Sequence, residues 1–410
     1  MSTSSSGSRF RTLTAVAAAG MLLALPGCGG DDQGKASGAT LTMFAHSAAP
    51  DEDTTLKRIV ESYNKLGRNK VDLKILPEYD TALQTALAGG DPPDVFYVND
   101  NKLPDLAKNG VLEPVGDKVE DPDDFYPSLR ELFTYEGTNY CAPKDFSTLQ
   151  LVYDVDEFKK ANVEPPTTWE ELTEVAEKLS KPKRPALSMN PEFYRWGAFL
   201  AQGGAWPTDD KVSTMTMDDP KMKSTLEYVA KLHTDGLAAT PAALGVNWGG
   251  EAIGKGKAAM TIEGNWIAGA MTTDFPDVNY AVAELPAGPE GKATMSFSVC
   301  YGIAAASQNK AAAIEFVKYL TSAKQQYAFT KDFPVMPSRQ SLADRWLDAN
   351  PDLEAFVAGA EYSKKSVFVP GFPTVIDTFN DGIEGLAKGN QDVDKVIAET
   401  EKAGEDVLNG

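Results

Sequence analysis

Residues 41–76 decide the fold of this chain; they read LTMFAHSAAPDEDTTLKRIVESYNKLGRNKVDLKIL. The first five letters predict a short strand, and the alternation over residues 71–76 predicts a second one. Between the two strands, apolar side chains recur at the spacing of one helix face: Leu56, Ile59, Val60 and Tyr63. A strand, a helix and a strand in this order predict parallel pairing with a helical crossover.

The same pattern continues towards the C-terminus. Asp80 is placed to cap a second helix that stops at Gly89-Gly90, and residues 94–98 predict a third strand. Further strands are predicted at residues 149–153 and 301–305, one helix after the capping box at 168–171, and another helix over 313–320. The chain is therefore predicted to be an α/β protein with parallel strands.

Length, composition and charge restrict the class of protein. A chain of 410 residues suggests about two domains, and its 42% hydrophobic residues fit a packed globular body. The formal net charge of −20 argues against nucleic acid as a partner and against adhesion to anionic lipid. The acidity is typical of a well-solvated surface.

The N-terminus predicts export. Arg9 and Arg11 precede an apolar run from Leu13 to Leu25, which is shorter than the roughly 20 residues of a membrane-spanning helix. The run ends at Leu25-Pro26-Gly27-Cys28, which resembles the lipobox of bacterial lipoproteins. That resemblance implies a signal peptide over 1–27 and lipidation of Cys28; an ordinary secretory signal with a chance cysteine stays open. The composition of the residues that follow predicts a flexible linker over 28–39.

The remaining cysteines and histidines predict no metal centre. If Cys28 is lipidated, Cys141 and Cys300 are an even pair in an oxidising compartment, but their bonding cannot be read from sequence. His46 and His233 are far apart and lack the spacing of zinc ligands. We expect neither a metal nor a cofactor.

Polar loops follow the first three predicted strands. They are His46-Ser47-Ala48, Pro77-Glu78-Tyr79-Asp80 and Asn99-Asp100-Asn101. Because the carboxyl ends of parallel strands meet at one edge, where ligands of open α/β sheets bind, these loops predict the polar wall of a cleft.

Motifs of common enzyme classes are missing from the sequence. It has no Gly-x-Ser-x-Gly elbow, no Gly-x-Gly-x-x-Gly turn after a strand and no phosphate-binding Gly-x-x-x-x-Gly-Lys-Ser/Thr loop. The 59 acidic residues leave a paired-carboxylate glycosidase open, because any two of them could form such a pair.

Four segments resemble the extracellular solute-binding proteins of ABC importers, in the sugar-binding, maltose-binding-protein-like branch. They are LAGGDPPDV at 87–95, YCAPKDFSTL at 140–149, GKAAMTIEGNW at 256–266 and LPAGP at 285–289. The resemblance implies an α/β, two-lobed periplasmic-binding-protein fold of type II, the Venus-flytrap fold, with discontinuous lobes and a hinge. It implies one lobe from 40–143 plus 301–337 and another from 144–300 plus 338–410.

By the same resemblance, the chain crosses between lobes near Cys141 and again near Cys300. A disulfide between these cysteines then becomes a specific hypothesis, with two buried free thiols as the alternative.

The resemblance also implies where sugar would bind. Sugar hydroxyls need charged or amide partners, and sugar C–H faces pack on aromatic rings. The implied polar contacts are His46, Asp100, Asn101, Asp145, Ser147, Thr148, Asn190 and Glu192. The implied aromatic contacts are Trp206, Trp248, Trp266, Tyr301 and Phe372, of which Trp266 matches the family's cleft-facing position in Gly264-Asn265-Trp266. A core position is the alternative for the tryptophans, and a plain loop position is the alternative for His46.

The sequence therefore predicts a monomeric binding protein that captures a sugar or oligosaccharide and hands it to the membrane subunits of an ABC importer. We expect it to be exported, anchored by lipid alone to the outer face of the cytoplasmic membrane, and not an enzyme. A binding protein for a peptide or polyamine, or a secreted glycosidase, remains the alternative.

Overall fold

The computed structural model describes residues 38–46, 50–366 and 368–410. The predicted signal peptide, the lipidation site Cys28 and most of the predicted linker lie outside the described residues.

The described strands form two large sheets and one two-stranded ribbon. In chain order the strands are β1 Thr40–Ala45, β2 Lys70–Ile75, β3 Val95–Asn99, β4 Leu112–Glu113, β5 Thr134–Tyr135, β6 Thr138–Asn139, β7 Ala142–Pro143, β8 Ser147–Asp154, β9 Leu187–Ser188, β10 Ala238–Ala239, β11 Met260–Gly264, β12 Tyr280–Ala283, β13 Thr294–Phe297, β14 Val299–Ala304 and β15 Ser363–Lys364.

Helices cover both sheets. The described α-helices are α1 Pro50–Asn64, α2 Tyr79–Ala88, α3 Leu103–Lys108, α4 Pro127–Leu132, α5 Val155–Ala161, α6 Trp169–Leu179, α7 Phe193–Gln202, α8 Pro220–Thr234, α9 Gly249–Gly254, α10 Ile267–Thr273, α11 Lys310–Thr321, α12 Ala323–Asp332, α13 Ala343–Ala349, α14 Glu354–Gly359, α15 Phe372–Ala387 and α16 Val393–Leu408. Short 3₁₀ turns occupy Asp100–Lys102, Gly116–Lys118, Pro122–Asp124, Ala242–Leu244, Gln340–Leu342, Pro351–Leu353 and Ala360–Tyr362.

The first sheet has the strand order β2-β1-β3-β14-β4, with β7 also paired to β14. β1 runs parallel to both β2 and β3, which confirms the crossover predicted from residues 41–98. β14 pairs antiparallel with β3, so a strand from late in the chain completes a sheet begun near residue 40. The apolar run of β3 is buried because helices cover both faces.

The second sheet has the order β10-β9-β11-β8-β13-β15, with β12 paired to the other end of β8. The long strand β8 is its organising element, since β11 lies along one side and β12 and β13 share the other. The strand predicted over 149–153 is therefore confirmed and longer than expected.

Three neighbouring segments carry the chain from one sheet to the other. Residues 144–146 connect β7 to β8, and Ser298 alone separates β13 from β14. The amide of Lys144 donates to the carbonyl of Val299 at 2.7 Å, which ties the two crossings together. The third segment contains Met336, which pairs with Phe146 of the first crossing in antiparallel register. β14 begins at Val299, so it joins the first sheet two residues before the boundary expected at residue 301.

Two predicted helix starts had different outcomes. The N-cap of the predicted capping box is confirmed, because the Thr168 hydroxyl accepts a hydrogen bond from the amide of Glu171 at 3.2 Å and α6 begins at Trp169. The Glu171 carboxylate accepts in return from the amide of Thr167, one residue before the N-cap, at 2.7 Å. The cap at Asp80 is wrong: α2 begins at Tyr79, one residue earlier, and Glu78 occupies the N-cap without a side-chain bond.

The structure joins Cys141 and Cys300 in a disulfide, with their Cα atoms 5.7 Å apart. Both residues are fully buried in the core of the first sheet, and the bond links the segment before β7 to β14. This pairing is the one that the resemblance implied.

Within the described ranges, no helix combines the length and apolar character needed to cross a membrane.

Candidate ligand-binding site

A cleft of about 320 Å³ lies where the two sheets face each other. Its walls come from the strand ends of the first sheet, the crossing segments and the second sheet. The lining residues are His46, Glu52, Asn99, Asp100, Asn101, Lys144, Asp145, Ser147, Tyr194, Trp266, Phe297, Ser298, Val299, Phe333 and Val335. A volume of this size is at the lower end of the range for small-molecule sites.

The carboxyl ends of β1 and β3 supply the polar wall. His46 directly follows β1, and its Nε2 lies 3.2 Å from Oδ1 of Asn99 at the end of β3. The imidazole also packs edge-on against Tyr79 and Tyr97. Burial, together with nearby Lys144, lowers the pKa of His46. The sheet edge is therefore polar, as predicted, and carries a neutral imidazole at pH 7.

Asp100 is buried at the tip of this wall, with 7% of its surface exposed. Its Oδ1 accepts hydrogen bonds from the Asn101 amide at 2.9 Å and from the Tyr194 hydroxyl at 3.1 Å. The Tyr194 bond reaches across the cleft, since Tyr194 is on α7 beside the second sheet. Oδ2 of Asp100 is buried and has no partner among the described residues. Burial raises the pKa of Asp100 to about 6.

A buried ion cluster forms the floor of the cleft. The Lys144 ammonium lies 2.8 Å from Oε1 of Glu52 and also contacts the carboxylate of Asp145. It sits over the ring of Phe329 at 4.9 Å. Burial opposes a charge on Lys144, but the two carboxylates raise its pKa above the ordinary value, so it remains an ammonium.

The opposite wall is aromatic. The rings of Trp266 and Phe297 meet edge-on with centroids 5.6 Å apart, and Tyr194 packs on Phe297 at 4.7 Å. Trp266 contacts the apolar cores of both sheets, which places it at the junction between them.

Trp266 is held in place by buried polar partners. Its Nε1 donates to Oε2 of Glu263 at 3.1 Å, and the same oxygen accepts from Nη2 of Arg195 at 2.7 Å. Gly264 is required beside it, because a Cβ there would lie 2.1 Å from the indole ring. The sequence Glu263-Gly264-Asn265-Trp266 therefore fixes the orientation of one cleft-wall ring.

Six of the predicted site residues line the cleft. They are His46, Asp100, Asn101, Asp145, Ser147 and Trp266. Their role as ligand contacts stays a prediction.

Three predicted polar residues lie elsewhere. Thr148 follows Ser147 in β8, so the alternation of the strand turns it to the opposite side, where its hydroxyl donates to the carbonyl of Phe356 at 2.8 Å. Glu192 caps the start of α7 and pairs with Arg195. Asn190 likewise is absent from the cleft lining.

Four predicted aromatic residues are also outside the cleft wall. Trp206 lies against Phe193 and under the Lys364 ammonium, beside a separate cavity of about 500 Å³. Trp248 packs against the cluster that contains Ile253 and Trp346. Tyr301 is buried in β14 opposite Tyr97, and Phe372 is buried at the start of α15. Apolar packing accounts for these last three positions.

The structure adds residues that the sequence did not single out as ligand contacts. Tyr194 lines the cleft and the predicted Glu192 does not, because the start of α7 at Phe193 decides which side chain faces inward. Glu52 is buried on the first turn of α1, where an acid is ordinarily taken for a solvated N-terminal charge. Lys144 is adjacent in sequence to Asp145, a predicted ligand contact, and this adjacency is the feature that could have indicated it.

The family model of bacterial extracellular solute-binding proteins matches residues 47–327. The chain belongs to this family. It is 25% identical over 387 residues to the diacetylchitobiose binding protein DasA of Streptomyces coelicolor, covering 89% of this chain and 90% of that protein.

Solved structures agree with this assignment. An ABC substrate-binding protein of Listeria monocytogenes in complex with cycloalternan superimposes with a TM-score of 0.82 at 25% identity, covering 91% of this chain and 99% of that one. The GacH receptor of Streptomyces glaucescens, solved unliganded and with acarbose, gives the same TM-score, identity and coverage. The two-lobed type II fold and the resemblance stated from sequence are thereby confirmed.

Proposed function

We propose that this protein captures a sugar or oligosaccharide in the cleft between its sheets and delivers it to an ABC importer. The observation that carries the proposal is that one cleft is lined both by the hydrogen-bonding side chains of Asn99–Asn101 and by Trp266. Sugars present hydroxyls around a ring whose C–H faces are apolar, so they need both kinds of wall. The relatives named above are described with carbohydrate ligands, which supports a sugar over a peptide or polyamine.

The mechanism we propose is hinge closure about the crossing segments. Residues 40–143 with 301–337 would move as one lobe, and 144–300 with 338–410 as the other. The sheet memberships support this division except at residues 299 and 300, which belong to β14 and therefore to the first lobe. Short neighbouring segments carry the chain between the sheets. A ligand that touches Asp100 on one side and Trp266 on the other stabilises the closed form by its extra affinity for that form.

We further propose that the protein acts as an exported, lipid-anchored monomer without catalytic activity. Support for the anchor is the sequence around Cys28, which lies outside the described residues. Membership in an extracellular solute-binding family supports export and a capture role. Two acyl chains on Cys28 would keep the protein near an importer in the same membrane.

The experiment is a thermal-unfolding screen of the purified protein against neutral and amino mono- and disaccharides, with product analysis of each mixture. A binding protein shows a rise in Tm with at least one sugar, dependent on sugar concentration, and no turnover. Release of smaller sugars would instead establish the glycosidase alternative. A panel without any thermal shift, alongside a shift with peptides or polyamines, would overturn the proposed ligand class.

A further inference from the structure

The charges that line the cleft do not balance. Glu52, Asp100 and Asp145 contribute three carboxylates, whereas Lys144 is the one ammonium or guanidinium among the described lining residues. His46 adds no compensating charge, since burial lowers its pKa. When these three carboxylates are ionised, the cleft wall therefore carries an excess of negative charge.

Asp100 is the carboxylate without a cationic partner. Glu52 and Asp145 both contact the Lys144 ammonium, but none of the ion pairs among the described residues includes Asp100. More than nine-tenths of Asp100 is buried, and its Oδ2 has no hydrogen-bond partner in the described part of the chain. A buried carboxylate oxygen left unpaired is costly, so the site is incomplete without a donor.

Aromatic rings line the same cleft as Asp100. Tyr194, whose hydroxyl reaches Asp100, packs on Phe297, and Phe297 meets Trp266. Ring faces attract cations, and aromatic rings beside a carboxylate are a recurrent way to bind an ammonium group. A hydroxyl could satisfy Oδ2 as a donor, but it would leave the excess charge of the wall unchanged.

We propose that the cleft prefers sugars that carry an ammonium group, with Asp100 as the residue that receives it. This inference rests on the proposed function, which it narrows from sugars in general to amino sugars. Sugars that carry a carboxylate or phosphate are rejected, because they would add charge to a wall that already has an excess.

The test uses sugar pairs that differ at one substituent. Calorimetric titration at pH 7 compares glucosamine with glucose, galactosamine with galactose, and the β-1,4-linked glucosamine disaccharide with cellobiose. For any skeleton that binds, we expect the amino member to bind about tenfold more tightly, since charge-assisted hydrogen bonds are about twice as strong as neutral ones.

Two variants assign the preference to Asp100. Asp100→Asn keeps the shape and removes the charge, so the preference should shrink to less than about threefold. Asp277→Asn removes the same charge from an exposed position outside the cleft wall and should leave the preference unchanged.

A second measurement needs no variant. On acidification of the wild-type protein from pH 7 to pH 5, Asp100 becomes protonated and the amino member should lose its advantage. The other charged groups at the cleft are Lys144, its two carboxylate partners Glu52 and Asp145, and His46. Burial raises the pKa of Asp145 and lowers that of His46, so the same acidification of Asp100→Asn measures what these groups contribute.

The outcomes separate the inference from the proposed function. Equal or tighter binding of the hydroxyl member at every skeleton that binds overturns the amino preference and leaves sugar binding intact. An amino preference that persists in Asp100→Asn and at pH 5 overturns the assignment to Asp100. If neither member of any pair binds and the wider sugar panel also fails, the proposed function falls together with the inference.

Discussion

Trp266 shows how much a single side chain in this cleft depends on its neighbours. Its indole nitrogen is bonded to Glu263, its ring meets Phe297, and Gly264 leaves the space that the ring occupies. One ring edge is thus fixed by buried groups while the residue still lines the cleft. This combination of a rigid support and an accessible face is what a stacking platform requires.

Trp266→Ala is predicted to weaken sugar affinity by at least about tenfold, because it removes the aromatic face on which we propose that the sugar packs. The free energy of unfolding should fall little by comparison, because the residue is only half-buried. Calorimetric titration and urea unfolding measure the two effects. Trp206→Ala is the matched control, since Trp206 lies beside a different cavity; equal loss of affinity in both variants would contradict the assignment.

Asp100 is predicted to make stability depend on pH. Burial raises its pKa from the usual 3.8 to about 6, so the folded protein holds this proton more tightly than the unfolded chain. The protonated carboxyl therefore stabilises the fold at pH 4, and that contribution of about 3 kcal/mol is lost as pH rises through 6.

Urea unfolding of Asp100→Asn and of the wild-type protein tests this sign. The variant, which cannot ionise at residue 100, should gain stability relative to wild type between pH 4 and pH 7. A difference that is independent of pH, or that moves the other way, would show that the carboxyl is solvated in solution.

The direction in which a side chain faces within its helix or strand determines which of the predicted site residues line the cleft. His46, Asp100 and Asn101 were found because they follow strands whose carboxyl ends share an edge. Glu192 and Thr148 were misplaced by one or two positions in their elements, where a helix start or a strand alternation reverses the facing direction. The direction in which these side chains face depends on the elements packed around them and not on the local residue types.

A buried ion pair joins a helix of the second sheet to one of its strands. Arg195 on α7 bonds to Glu263 on β11 at 2.7 Å, and its Nε donates to the carbonyl of Ile262 at 2.9 Å. Both charged groups are largely removed from solvent. The pair therefore positions α7, which carries Tyr194, against the strand that precedes Trp266.

Arg195→Met is predicted to lower the free energy of unfolding by about 3 kcal/mol, because it leaves Glu263 buried without its cation. Lys223→Met is the control, since its pair with Asp394 is exposed and such pairs contribute under about 1 kcal/mol. Urea unfolding measures both. Equal effects of the two substitutions would contradict a structural role for the buried pair.

The disulfide is predicted to stabilise the first sheet. Cys141 and Cys300 are separated by 159 positions, and bridges that close long loops contribute about 3–5 kcal/mol. Urea unfolding of the Cys141→Ala/Cys300→Ala variant should show a loss of that order. Mass spectrometry of a non-reduced digest of the wild-type protein must also contain the linked peptides, and two free thiols would contradict the pairing.

The elements of the first sheet were predictable, and several of the second were not. β1, α1 and β2 have clear apolar periodicity over residues 41–76. β9 and β10 are strands of two residues each; β9 pairs with β11, and β10 pairs with β9. No periodicity can be read from two residues, so pairing with distant segments determines these strands.

At the scale of the whole molecule, function follows from how the chain is divided between the sheets. The first sheet is begun by β1 and completed by β14, while residues between them build most of the second sheet. This arrangement forces several crossings to lie side by side, with the cleft directly above them. A body built this way can close on a ligand without unfolding either core.

A crystal structure of the protein with a sugar that raises its Tm tests whether the cleft between the sheets is the binding site. We expect the sugar between the two sheets, with its ring against Trp266 and a donor group bonded to Asp100. Sugar bound at another surface of the protein, with the cleft containing only water, would contradict binding in the cleft.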